Sequence, residues 1–347
     1  MTTRTDDALN WNMSVTKTVL PAMHLMVDAL CACCLCLMSV RYGGAGNILQ
    51  LYIIYNVSAF LTQPVVGYVA DKVSMEKFAP SFCIMLTLVV TALAWYGLGY
   101  VSFSGNGTVM SATIMLLGLG NSAFHVWAGR LTTLHTHNDI RWLGVFVSTG
   151  AVGLSIGTLL SSWALAWLLV IGITGFTYLY LYGEKGNTQT ESGKGEALYG
   201  ILKKQCQTDE YTSVDASIAL VCIMVLALMA LVALRSMIGG SFYASLPDDR
   251  GMILLAGVVT MAGKISGGWI ARYVGLTRTL VLAVMVVALC TLFTDSGVTI
   301  VLTGLFAVNC TMPLTLYMIN VVMRGREALA FGLLAASLMP AYLATII

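Results

Sequence analysis

The stretch "QPVVGYVADKVSMEKF" (63–78) is a short charged seam between two apolar runs. Gly67 lies near the end of the first run, and Asp71, Lys72 and Lys77 follow at four, five and ten residues. A glycine there lets two helices approach closely. An acid just beyond it can meet the N-terminus of a neighbouring helix, or an arginine on the same face, and so latch one conformation. The plainer alternative is a turn whose charges are solvated. Both readings make the stretch a connection between two membrane spans.

The flanking composition agrees. The 347 residues are 58% hydrophobic and only 10% charged, with a mean hydropathy of +0.84. A soluble domain carries about 25% charged residues, so the surface of this chain suits a bilayer, and the fold class is an all-α polytopic membrane protein. Apolar windows recur at 18–40, 48–70, 79–101, 108–128, 142–162, 163–182, 216–240, 252–271, 277–294, 298–322 and 327–347. These are eleven spans of about 20 residues. The one long polar stretch divides six spans from five. It gives an N-terminal bundle (1–182), a linker (183–215) and a C-terminal bundle (216–347). The sequence closes on "YLATII" with no polar tail, so a twelfth span is expected to be missing. The polar N-terminal residues ahead of a long first span read as an uncleaved anchor.

Basic residues orient the spans. With the N-terminus in the cytoplasm, fourteen of the eighteen Lys and Arg fall in inner segments and only Arg41 and Arg250 in outer ones; Arg235 and Lys264 lie within spans. That asymmetry obeys the positive-inside rule. A net charge of +2 offers no footprint for nucleic acid. Eight of the nine cysteines, including the "CACCLC" run at 31–36, lie in apolar stretches and read as packing residues; Cys206 alone is in a polar segment.

The two bundles echo each other: "GYVADKV" (67–73) ends the second span and "GWIARYV" (268–274) the eighth. Two parallel repeats with a solute bound between them near the bilayer middle are a transporter arrangement. The spacing Gly67, Asp71, Lys72, Lys77 resembles the loop signature of the major facilitator superfamily, G-x-x-x-D-[RK]-x-x-x-x-[RK]. Together with "HLMVD" (24–28) in the first span and "GLGNSAFHVWAGR" (118–130) in the fourth, it resembles the fosmidomycin-resistance-type exporters, a branch of that superfamily, over residues 20–160. The resemblance implies a two-bundle transporter fold and export of a drug-like or anionic solute. The sequence departs from the branch in three places. Val126-Trp127 replace a Pro-Glu pair after the histidine, Arg272 stands where the repeated loop would carry an acid, and the twelfth span is absent.

Charged groups within spans are costly, about 2.5–3.5 kcal/mol at a helix centre, and are read as functional by default. His24 and Asp28 are four residues apart and share a helix face. Mid-span, Asp28 is placed to take up and release a proton that His24, and His125 in the fourth span, can relay. A structural ion pair of Asp28 with Lys264 or Arg235 is the alternative. Lys264, Arg235, Asn121, Arg130, Tyr52, Asn309 and Tyr317 are the candidate solute-binding residues, with cations suited to an anion. Asn121, His125 and Gly129 share one helix face, as do Asn309, Pro313, Tyr317 and Asn320; Gly150, Gly153 and Gly157 allow close packing of the fifth span. Gly67, Asp71 and Lys72 form the candidate latch. "HTHND" (135–139) reads as a solvated loop rather than a zinc set.

The expectation is a secondary transporter of the bacterial inner membrane, acting as a monomer without metal or cofactor, that exchanges protons for a small solute by alternating access. Import of an organic anion by symport is the alternative. A membrane-embedded metalloenzyme using His24, Asp28 and His125 lacks any H-E-x-x-H or nucleophile elbow, so no enzyme is expected.

Overall fold

The computed structural model describes residues 3–42, 45–73, 75–97, 107–188 and 218–340, and every described element is helical. Most of the expected linker, Cys206, the side chain of Lys77 and the last residues of the eleventh window lie outside the described residues. The helices are α1 (Thr3–Tyr42), α2 (Ala45–Asn56), α3 (Gln63–Ala70), α4 (Met75–Gly97), α5 (Gly107–His135), α6 (Ile140–Leu159) and α7 (Trp163–Thr188). After the linker come α8 (Ile218–Ala244), α9 (Arg250–Val274), α10 (Leu276–Leu292), α11 (Val298–Cys310), α12 (Met312–Val322) and α13 (Glu327–Ala336).

Among the described residues, each of the eleven apolar windows holds a helix. Eight are long and apolar enough to cross a membrane, and three shorter apolar helices fall in the remaining windows. Two spans are interrupted, each just before a proline. A π-helical turn, Val57–Leu61, joins α2 to α3 ahead of Pro64, and Thr311 joins α11 to α12 ahead of Pro313. Proline lacks the N–H that would continue the ladder, so the break falls there.

Large apolar side chains such as Leu168, Ile171, Leu226 and Leu289 remain exposed on the outside of the bundle. In water that surface would be prohibitive; in lipid it is neutral, because every helical backbone group is already paired. The protein is a multi-pass integral membrane protein.

Helix α1 is the inner axis of the first six spans, packed against α5, α6 and α7. Helix α6 is held between α1 on one side and α9 of the last five spans on the other. Glycines set that spacing. A Cβ on Gly153 would strike the Leu25 carbonyl and one on Gly157 the Ala29 carbonyl, while Gly144 lies against the carbonyl of Lys264. The fifth span can therefore touch both neighbours at backbone distance. The turn before α6 needs left-handed backbone at His137 (φ 52°) and Asn138 (φ 56°), and Asp139 caps the helix by accepting from the Arg141 N–H at 3.0 Å.

Candidate functional site

Three ionisable side chains that are distant in sequence meet inside the bundle. His24 and Asp28, one turn apart on α1, bring imidazole Nε2 and carboxylate Oδ2 to 3.3 Å. His125 on α5 places its Nε2 at 3.5 Å from Asp28 Oδ1 and at 2.9 Å from His24 Nε2. The two rings stand edge to face, 4.7 Å between centroids. His24 and Asp28 are buried and His125 nearly so.

The backbone fixes the proton positions. His24 Nδ1 lies 2.6 Å from the Phe146 carbonyl oxygen, and His125 Nδ1 lies 2.9 Å from the Asn121 carbonyl oxygen. A carbonyl can only accept, so both rings donate from Nδ1. In the neutral rings both Nε2 atoms are then bare lone pairs, turned toward one another and toward a carboxylate. Two acceptors 2.9 Å apart repel unless a cation is shared between them.

Its walls come from neighbouring spans. Gly150 of α6 leaves the room it occupies: a Cβ there would strike Asp28 Oδ2 and His24 Nε2. Asn121 donates from Nδ2 to the Tyr55 hydroxyl at 2.6 Å, which ties the His125 turn to α2. From the other half, Lys264 on α9 donates to the Val147 carbonyl at 3.0 Å, the residue next to the carbonyl that holds His24, and its charge is felt at Asp28.

A second cluster closes one end of the bundle. Asp71 accepts from the N–H groups of Ala328 (3.1 Å, at Oδ1) and Leu329 (3.0 Å, at Oδ2), the first turn of α13. Arg130 flanks it, with Nε 3.5 Å from Asp71 Oδ1 and Nη1 donating to the Ala70 carbonyl at 2.6 Å. Burial pushes the Asp71 carboxyl above its ordinary value, and the two N–H groups and Arg130 only partly offset this. Gly67 makes the approach possible, since a Cβ would collide with the Ala328 carbonyl. Lys72 is exposed and lies over the Tyr68 ring instead of crossing to α13. At the same end Asn320 donates to Asn138 Oδ1 (2.9 Å) and Thr133 Oγ1 (3.1 Å).

The architecture matches solved transporters along almost its whole length. The E. coli fucose:proton symporter superposes with a TM-score of 0.60 at 12% identity, covering 97% of this chain and 91% of that one. A human organic anion transporter gives 0.61 at 12% identity, with 96% and 93% covered. A bacterial homologue of the iron transporter ferroportin, facing outward, gives 0.58 at 14% identity, with 95% and 89% covered. No family model and no curated protein matches the sequence. The fold is that of the major facilitator transporters.

Within that major facilitator fold the other candidate residues fall in different places. Arg130, expected on the solute path, is engaged by Asp71 and Ala70. Asn309 is buried and donates back to the Leu305 carbonyl of its own helix. Arg235 is buried on α8, and its charge is felt at Lys264. Tyr52 packs on the main core. Tyr317 lines a cavity of about 630 Å³ at the Asp71 end, with Lys17, Asp139, Arg141 and Arg272. Val126 and Trp127, which stand where the resembling branch has Pro-Glu, pack away from the centre. Val126 is buried with Ala70 and Ala328 behind the Asp71 contact, and Trp127 packs on Phe82 and Tyr180. In "HTHND", His135 pairs with Thr16 and Asp139 with Arg141.

Sequence reasoning named Gly150 for close packing alone, and did not find the Phe146 and Val147 carbonyls or the Asn138–Asn320 bridge. It named His24, Asp28 and His125 as a metal set only for the enzyme alternative; their ligand atoms all lie within 4.8 Å of one another. The i, i+4 pair on α1 was a signal; backbone acceptors on a helix 120 residues away leave none.

Proposed function

We propose that the protein is a proton-coupled secondary transporter that exports a small drug-like or anionic solute by rocking its two bundles about the Asp28 centre. The carrying observation is the centre itself: two imidazoles donating from Nδ1 and a carboxylate, converging mid-span with both Nε2 atoms turned toward each other and toward Asp28. A proton on either Nε2 satisfies it, bonded to the other ring and beside Asp28. Lys264, brought from the other half, competes for the same carboxylate. Loading the proton weakens the pull of Asp28 on Lys264 and frees α6 from α9; releasing it restores the attraction. Coupling then needs no step beyond this exchange of partners.

Export and an anionic solute are supported by the resemblance of "HLMVD" and "GLGNSAFHVWAGR" to the fosmidomycin-resistance-type branch, and by the cationic Lys264 facing the centre. The inner location of the Asp71 end and of the N-terminus is supported by the basic residues gathered there. Asp28→Asn in proteoliposomes is expected to abolish pH-gradient-driven uptake while leaving solute counterflow within about twofold, because rocking persists when the carboxylate is permanently neutral. Gradient-driven transport at the wild-type rate in that variant would overturn the proton reading.

A further inference from the structure

We infer that the His24–Asp28–His125 centre is a binding site for one divalent first-row transition-metal ion. The inference rests on the reading of this centre as the protein's cation site, and it goes beyond that reading in the identity of the cation.

The donor set is the first reason. Two imidazole nitrogens and one carboxylate are borderline donors that suit Zn²⁺, Fe²⁺ or Co²⁺; Mg²⁺ and Ca²⁺ prefer an all-oxygen shell. The second reason is preorganisation. A ligating histidine is normally held by a hydrogen bond from its other ring nitrogen, which fixes the tautomer and aims the lone pair. Both rings have that support here, from the carbonyls of Phe146 and Asn121. The two Nε2 lone pairs are the free ones, and they are turned to the same point.

Distance is the third reason. Metal–nitrogen bonds of about 2.1 Å span about 3.0 Å between ligands at right angles and about 3.4 Å at the tetrahedral angle. The edges in the protein are 2.9 Å (His24 to His125), 3.3 Å (His24 to Asp28) and 3.5 Å (His125 to Asp28). Asp28 meets each ring with a different oxygen, so it can bind through both or turn one inward. Three protein ligands leave at least one position open to water or to a donor atom of a solute. Gly150 lets the α6 backbone pack directly on the centre, where a Cβ would strike Asp28 Oδ2 and His24 Nε2.

The test uses the full-length protein in nanodiscs, with any affinity tag removed, titrated with Co²⁺ and Zn²⁺. The wild type is expected to bind one equivalent, with visible Co²⁺ ligand-field bands. With Cu²⁺ as a probe, nitrogen hyperfine structure from two imidazoles is expected. Loss of a second-shell partner alone costs 10–100-fold in affinity, so His24→Asn, His125→Asn and Asp28→Asn should each weaken binding by at least about 100-fold. Asp71→Asn, at the distant end, should bind as the wild type does. No stoichiometric binding by the wild type, or equal binding by the three variants, overturns the inference. The Cu²⁺ spectrum needs no variant, so a misfolded mutant does not blunt the test. Metal binding with no proton-coupled transport would remove the proton reading and leave this one. Proton-coupled transport without metal binding would do the reverse.

Discussion

At the scale of single residues, the centre depends on one missing methyl group. Gly150 lies where any side chain would press on both the Asp28 carboxylate and the His24 ring. Gly150→Ala must therefore push α6 away from α1 or turn Asp28 off its partners. Overpacking of this kind costs about 1–3 kcal/mol. The variant is expected to melt below the wild type in nanodiscs and to lose most gradient-driven transport, whereas Gly175→Ala, which opens onto free space, should change neither. Equal melting and transport in both variants would remove Gly150 from the site. The i, i+4 spacing of His24 and Asp28 was readable from the sequence because helical periodicity places such pairs on one face. His125 was named as a relay partner, but its contact with the pair was not legible, since only packing of α5 on α1 brings the two Nε2 atoms, 101 residues apart, to 2.9 Å. Arg130 was counted with the solute-binding residues from its place at the end of the matched fourth-span element; Asp71, just beyond α3, pairs with it.

At the scale of elements, the two repeated loop ends make matching contacts with opposite chemistry. Gly67, near the end of α3, rests on the Ala328 carbonyl at the start of α13; Gly268, near the end of α9, rests on the Ile140 carbonyl at the start of α6. Each repeat thus sends a glycine to the first turn of a helix in the other bundle. Beyond Gly67 comes Asp71, which caps α13 across the gap. Beyond Gly268 comes Arg272, and α6 is capped locally by Asp139, the residue just before it. Burial pushes the Asp139 carboxyl up, but hydrogen bonds from Arg141 and the charges of Arg141 and Arg272 bring it below its ordinary value. The echo of "GYVADKV" in "GWIARYV" was legible; which segment supplies the cap was not, because both arrangements satisfy the same helix terminus. Losing a cap costs about 0.5–2 kcal/mol. In Asp71→Ala that cost falls on a contact between bundles, so the Asp71 end should open several-fold more often, read as a longer spin-label distance between α3 and α13. In Asp139→Ala it falls within one bundle, so melting should drop with the distance unchanged. Equal opening in both variants would end the distinction.

At the scale of the molecule, the bundles are tied at both ends around the Asp28 centre. At the Asp71 end the ties are Asp71 with α13 and Asn138 with Asn320. At the opposite end Ser155 donates to the Ile253 carbonyl at 3.0 Å, and Arg250 reaches the Leu159 carbonyl at 3.3 Å. The helix count and the two-bundle plan were legible, because a span needs about 20 apolar residues whatever surrounds it. The state of the seam was not, since its contacts are single hydrogen bonds between residues about 100 or more apart. Alternating access requires the ties at one end to break while those at the other hold. A covalent tie across the Ser155–Ile253 contact should therefore stop turnover without disturbing the centre. Ser155→Cys with Ile253→Cys, in a background where the exposed Cys222 is serine, is expected to lose at least about tenfold of its transport on oxidation, since closing off one of two required states removes the cycle rather than slowing it. Reductant should restore the rate, and each single variant should be insensitive to oxidant. Full transport by the oxidised, cross-linked protein would mean that this end never opens, and that solute passes by a route other than the seam between α6 and α9.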